Sequence, residues 1–207
     1  GEIIYGSTWD NEDAGMIWWD ADGTARYVGE DVRYEREVQM VYWDGSEYSY
    51  TLVDGVQTWS GAGQASPDGK WLAGTFTVES LNETRDRINS TYYPAYFNTE
   101  TGQTTVLEDY EGYGGCGVTD EGLAFMAAVG GMGGSGPVVN LENGATVAYA
   151  SLEEYVQERF GINVPSGGQF KYMAADGSVL LASTVIAAPW GADIATWYVA
   201  KRGQESE

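Results

Sequence analysis

The residues able to do chemistry in this chain are carboxylates, aromatics and one thiol. The chain has 31 acidic side chains against 10 basic ones, and no histidine. Without imidazole there is no Ser-His-Asp or Cys-His triad and no zinc site that needs a histidine ligand. Asp20-Ala21-Asp22-Gly23 starts like a calcium loop, but Thr24 and Ala25 stand where that loop needs an oxygen ligand and a glycine. Asp10, Asn11, Glu12 and Asp13 lie just upstream. If the two segments face each other across a hairpin, Asp10, Asp13, Asp20 and Asp22 supply oxygen ligands of the kind that suits calcium. No other cofactor is expected.

Aromatics are the stronger lead to a binding site. Trp18, Trp43, Tyr48, Tyr50 and Trp59 fall in the first 60 residues. Flat apolar faces with a polar edge bind sugars and peptides. Trp18 and Trp19 are adjacent, so on a strand they point to opposite faces and one of them belongs to the core. Cys116 is flanked by Gly114-Gly115 and Gly117-Val118, which reads as a strand entry holding a small buried residue rather than a nucleophile. Gly131-Met132-Gly133-Gly134-Ser135-Gly136 fits the dinucleotide fingerprint formally. Pro137 and a strand-like Val138-Val139 follow it, so no helix N-terminus is there to hold a pyrophosphate, and a hairpin loop is expected. Carboxylate pairs are too many for the spacing a glycosidase needs to single one out.

The formal charge of −21 excludes a nucleic-acid partner, which needs a basic surface. No stretch reaches the roughly 18 to 20 apolar residues that span a bilayer, and no signal sequence is evident at the start. A soluble chain is therefore expected. With 29 glycines, 8 tryptophans and 15 tyrosines, the composition favours many turns and aromatic strands.

The elements that must position these residues recur. Ser66-Pro67-Asp68-Gly69 leads into Lys70-Trp71-Leu72-Ala73-Gly74-Thr75. Val118-Thr119-Asp120-Glu121-Gly122 leads into Leu123-Ala124-Phe125-Met126-Ala127-Ala128. Ala174-Ala175-Asp176-Gly177 leads into Ser178-Val179-Leu180-Leu181-Ala182-Ser183, and the opening Gly1 to Ser7 fits the same frame. Each copy is a tight turn, an apolar strand and a small pair where a neighbouring backbone should come close. A second strand follows each: Ile17 to Asp20, Ala95 to Asn98, Val138 to Asn140 and Thr196 to Val199.

Turn glycines at 1, 69, 122 and 177 give units of 68, 53 and 55 residues. That length, with three or four strands per unit, predicts an all-β chain. The expected form is a β-propeller-like array of about four antiparallel blades in one domain over 1–207, with a β-sandwich as the alternative. The units run approximately 1–64, 65–116, 117–170 and 171–203, with a polar tail at 204–207. The long first unit contains an added hairpin or degenerate blade around Met40 to Leu52. One short helix is expected near 151–160: Ser151 and Glu154 form a capping box, Leu152, Tyr155, Val156 and Phe160 share a face, and Gly161 ends it. It should plug or cover a sheet.

Ala150-Ser151-Leu152-Glu153-Glu154-Tyr155, then Phe160-Gly161-Ile162-Asn163 and Ala175-Asp176-Gly177-Ser178-Val179-Leu180-Leu181-Ala182, resemble the extracellular HAF-type repeats. Ser66 to Gly74 is also similar to the motifs of Tol-type propellers. Ala175 replaces the turn serine of that pattern, and Ala127 and Ala182 replace its glycine. The resemblance implies a secreted or surface-attached bacterial propeller and carries no shared activity.

Two functions follow as expectations. One is a non-catalytic extracellular module that binds a glycan, a peptide or another surface protein. The other is a carboxylate-dependent hydrolase or lyase with its site in the propeller funnel. Asn82-Glu83-Thr84 and Asn89-Ser90-Thr91 match the glycosylation acceptor pattern in a polar stretch between strands.

Overall fold

The computed structural model describes residues 4–9, 14–20, 22–32, 34–35, 40–43, 48–51, 56–57, 59–81, 88–130, 134–164, 169–174, 178–186 and 193–200. Its strands are all paired antiparallel. The first sheet is a meander of β1 (Ile4–Trp9), β2 (Ala14–Trp19) and β3 (Ala25–Tyr27). A short 3-10 turn at Glu30–Val32 follows. Then come β4 (Tyr34–Glu35), a hairpin of β5 (Met40–Trp43) and β6 (Tyr48–Thr51), and β7 (Val56–Gln57), which returns to pair with β4. These small pairs are the added segment expected in the long first unit.

The second sheet is β8 (Trp59–Ala65), β9 (Trp71–Leu81), β10 (Ile88–Asn98) and β11 (Gln103–Val106). The third is β12 (Tyr113–Val118), β13 (Leu123–Ala128), β14 (Val138–Asn140) and β15 (Thr146–Tyr149). After helix α1 (Leu152–Phe160), a fourth sheet contains β16 (Gln169–Met173), β17 (Val179–Ile186) and β18 (Asp193–Ala200). Strand order equals chain order in all four sheets, so each is a simple meander. The described residues thus form successive small antiparallel sheets.

The two recurring sequence elements pair with each other in every sheet. Trp71 lies opposite Asn98, Leu123 opposite Asn140, Ile4 opposite Trp19, and Val179 opposite Ala200. Each of the second, third and fourth sheets also begins one strand before its turn, with β8, β12 and β16. The sheets are therefore offset from units counted from the turn.

The turns explain the recurrence. The Ser66 N–H donates to the Trp71 carbonyl at 2.9 Å and the Thr119 N–H to the Leu123 carbonyl at 2.9 Å. In both copies a hydroxyl accepts an N–H from the start of the following strand: Ser66 Oγ from Trp71 at 2.9 Å and Thr119 Oγ1 from Leu123 at 3.0 Å. Gly69 and Gly122 take φ of 78° and 75°, which a side chain would oppose. The Asp176-Gly177 turn lies outside the described residues, but Ala174 N–H reaches the Ser178 carbonyl across it at 2.9 Å.

Period-two alternation sorts the side chains into cores between successive sheets. Leu72, Ala95 and Phe97 face the first sheet and pack with Trp18 and Val28. On the other face, Trp71, Ala73 and Tyr96 meet Val118, Ala124, Met126 and Val139 of the third sheet. The opposite face of that sheet, through Leu123, Phe125 and Val138, meets Phe170, Met173 and Val179 of the fourth. Helix α1 fills this last junction with Leu152, Tyr155 and Val156. Its N-cap and C-cap fall where the sequence places them, but the Glu154 carboxylate accepts the Ala150 N–H at 2.7 Å in place of the Ser151 N–H that a full capping box would use. Ser151 Oγ accepts the Glu154 N–H at 3.2 Å, and Gly161, at φ 68°, sends its N–H to the Gln157 carbonyl. Burying each such apolar side chain stabilises the fold by about 1.5–3 kcal/mol.

Strand β12 lies against β8, β9 and β10 of the second sheet and against β16 of the fourth. Its glycines permit this approach: a Cβ on Gly115 would stand 2.7 Å from the Gly74 carbonyl oxygen and 3.0 Å from that of Ala95. The close backbone approach expected at the Gly74-Thr75 pair is thus present.

Candidate functional site

Among the described residues, the β2–β3 hairpin carries one exposed aromatic side chain, Trp19, and β16 carries another, Tyr172. Alternation along β2 decides which tryptophan is available. Trp18 is 9% exposed and packs against Phe97, with ring centroids 6.0 Å apart. Trp18, named from the sequence as a binding aromatic, is therefore a core residue. Its neighbour Trp19 points to the other face and is 37% exposed.

Asp20 follows directly and organises the turn. Its Oδ1 accepts the Thr24 N–H at 2.9 Å, and its Oδ2 accepts Arg26 Nε at 2.8 Å. Asp22 Oδ1 also accepts the Thr24 N–H, at 3.0 Å. Contact with the Asp22 carboxyl, then with the Arg26 guanidinium, holds the Asp20 carboxyl down to about 2. The same ion pair raises Arg26 above its ordinary value. The Trp19 indole is exposed on one face of this hairpin, whereas the Asp20–Arg26 pair lies towards the other, because Arg26 stands opposite Trp18 and Ala25 opposite Trp19.

Asp20 plays a structural part shared by its counterparts. Asn98 Oδ1 accepts the N–H groups of Glu100 and Thr101, and Asn140 Oδ1 accepts that of Asn143. Each closes the hairpin after the second recurring strand. Asp10 and Asp13 lie outside the described residues, so the four-carboxylate cation cluster is represented only by Asp20 and Asp22. Among the described residues, no three His, Cys, Asp or Glu side chains are grouped to hold a metal ion. Trp43, Tyr48, Tyr50 and Trp59 lie on β5, β6 and β8; their side chains lie outside the described residues.

A second cluster, unmarked in the sequence, forms where the turns of the second and third sheets meet. The Asp68 N–H donates to Asp120 Oδ1 at 2.9 Å. Asp68 Oδ1 accepts the Ser66 hydroxyl at 2.6 Å and the Lys70 N–H at 2.9 Å. Lys70 Nζ crosses to Glu142 at 2.6 Å. Burial raises the Asp120 carboxyl, and the nearby Asp68 charge adds to the rise. Burial also works to raise Asp68, but the Ser66 hydroxyl and the Lys70 N–H bring it below its ordinary value. The turns were legible from Asp-Gly; their meeting was not, because no local pattern encodes which sheets adjoin.

No protein-family model, curated protein or solved structure matches the chain. Function must therefore be argued from these groups alone. Two other sequence features are placed plainly. Strand β14 begins at Val138, so the glycine run 131–136 leads into a strand and not a helix. Burial pushes the Cys116 thiol up to about 12, with Lys171 working weakly against it. At that value the thiol stays protonated and is a poor nucleophile.

Proposed function

We propose that this chain is a non-catalytic binding module of propeller design, displayed outside the cell, whose ligand stacks on Trp19. The exposed Trp19 indole is the observation that carries the reading. Sugars and aromatic or proline-bearing peptides both offer a flat apolar face with polar edges, so a glycan or a peptide of another surface protein fits. Four successive meanders packed face to face, with the glycine-bearing β12 lying against the second and fourth sheets, support the propeller arrangement. The Ser66 and Thr119 turns support kinship with HAF-type or Tol-like repeats, and with it a secreted or surface location in a bacterium. Calcium at Asp10, Asp13, Asp20 and Asp22 would have to displace Arg26 from Asp20. A calcium titration by calorimetry that gives no heat removes that reading.

The test is a glycan and peptide array followed by calorimetry on Trp19→Ala. Loss of about tenfold or more in affinity is expected, since aromatic anchors dominate such contacts. Unchanged binding by Trp19→Ala overturns the site, and turnover of a substrate with no binding hits overturns the class.

One observation favours the rival hydrolase or lyase. Asp68 and Asp120 adjoin with their carboxyl pKa values moved in opposite directions, the pattern of an acid and base pair. Screening a panel of polysaccharides and peptides for turnover that Asp120→Asn abolishes tests it.

A further inference from the structure

The outer edge of the third sheet is unlike that of the second. Strand β11 is the last strand of its sheet, and its edge is obstructed: the Thr104 N–H donates to the Asp31 carboxylate at 2.7 Å. The 3-10 turn holding Asp31 lies alongside this strand. Strand β15 is likewise the last of its sheet, so one row of its N–H and C=O groups has no strand to pair with among the described residues. Its sequence, Thr146-Val147-Ala148-Tyr149, contains no charge and no proline, the devices that ordinarily discourage edge pairing. Thr146, Val147 and Ala148 are exposed, and Val147 is 54% exposed. The strand is also held in place. Tyr149 stacks edge-on with Tyr155 of α1, and its hydroxyl accepts Arg159 Nε at 3.2 Å.

The flanks decide what could pair there. Helix α1 contacts β15 and carries three glutamates (Glu153, Glu154 and Glu158) against one arginine, which is itself paired with Glu121. Glu142, exposed in the turn leading into β15, is already paired with Lys70, so the acidic flank of this edge is that of the helix. A second copy of the chain would bring another charge of −21 to this edge and be repelled. A basic strand would be attracted.

The geometry points to β15 as a docking edge for an extended, lysine- or arginine-bearing segment of another protein, added to the third sheet as a fifth strand. Main-chain hydrogen bonds would supply the affinity and the acidic flank the selectivity. This edge does not depend on the Trp19 surface.

The probe is a short synthetic peptide alternating lysine with valine, titrated into the full chain at low salt. Controls are a glutamate–valine peptide and a lysine peptide of equal charge with proline in place of valine. The lysine–valine peptide should bind and protect the amides of 146–149 from hydrogen exchange, and neither control should protect them. Val147→Lys places a like charge on an exposed position and should weaken binding about tenfold. Protection at another segment, equal protection by the proline peptide, or dimerisation through β15 in place of peptide uptake would overturn the inference. Trp19→Ala should leave this binding unchanged, which separates the two surfaces.

Discussion

The side-chain amide of Gln64 on β8 is bonded at both ends to the backbone of Met173 on β16. Nε2 donates to the Met173 carbonyl at 2.7 Å, and Oε1 accepts the Met173 N–H at 2.9 Å. This joins the second sheet to the fourth although the third lies between them in the chain. A single amide thus plays the part of a one-residue strand between the first strands of two sheets.

Replacing Gln64 with Leu keeps the approximate volume and removes both bonds. It leaves a partly buried N–H and C=O of Met173 without their partner. The expected loss is about 1–3 kcal/mol. Urea denaturation monitored by circular dichroism checks it, and a loss near zero would mean the bridge is not maintained in solution.

Gly115 tests the sheet contact itself. A Cβ there would meet backbone on more than one side, at 2.7 Å from the Gly74 oxygen and 3.0 Å from the Ala95 oxygen, and backbone cannot turn aside. Gly115→Ala should cost more than about 2 kcal/mol or prevent folding. Gly117→Ala should also destabilise, though by less, because it meets the ring of Phe170 at 2.5 Å, a buried ring stacked on Phe125, rather than backbone. The two variants are compared by thermal unfolding, and the order of their melting temperatures is the readout.

The Asp68–Asp120 contact predicts a pH dependence. Asp120 has its carboxyl raised in the folded chain by burial, then by the Asp68 charge. A carboxyl raised on folding favours the folded state below its unfolded value, and that contribution is lost as pH rises through the folded value. Asp68 is lowered, so its contribution is present at neutral pH and is lost as pH falls through its folded value. Asp120→Asn should therefore gain on the wild type as pH rises from about 4 to 7. Both groups are largely exposed, so solvent screening limits the gain to a few tenths of a kcal/mol. Asp68→Asn should lose stability at neutral pH. Chemical denaturation across that range, with carboxyl titration by NMR, distinguishes the two.

Much of the fold was written in local pattern, and the junctions were not. Adjacent Trp18 and Trp19 declared that one of them is core, but only the packing of Leu72 and Phe97 against β2 shows which. The capping of α1 followed from Ser151, Glu154 and Gly161, because those bonds close within one turn. Gln64 carried no mark at all, since its partner lies 109 residues away and a glutamine among small residues has no period to betray it. For the same reason the acids near Asp20 stand out along the chain, whereas nothing local says that Asp68 and Asp120, whose turns belong to different sheets, come together.

The thiol offers a further check. Burial holds Cys116 up to about 12, so at about pH 8 almost none of it is thiolate. The folded protein should react slowly with iodoacetamide or a disulfide reagent and rapidly once unfolded in urea. Fast labelling of the native chain would show that the thiol of the partly exposed Cys116 is reached by the reagent without unfolding.

The meander topology sets a folding order. In each of the four larger sheets every strand pairs with its neighbour in the chain, so the loops that must close are short and the entropy of closing them is small. Each sheet can form while the residues beyond it are still being synthesised. Only afterwards must the distant contacts between sheets, such as Gln64 with Met173, be made. The slow step of assembly should therefore be the stacking of finished sheets, and mutations at the glycines of β12 should retard folding more than mutations in any hairpin turn.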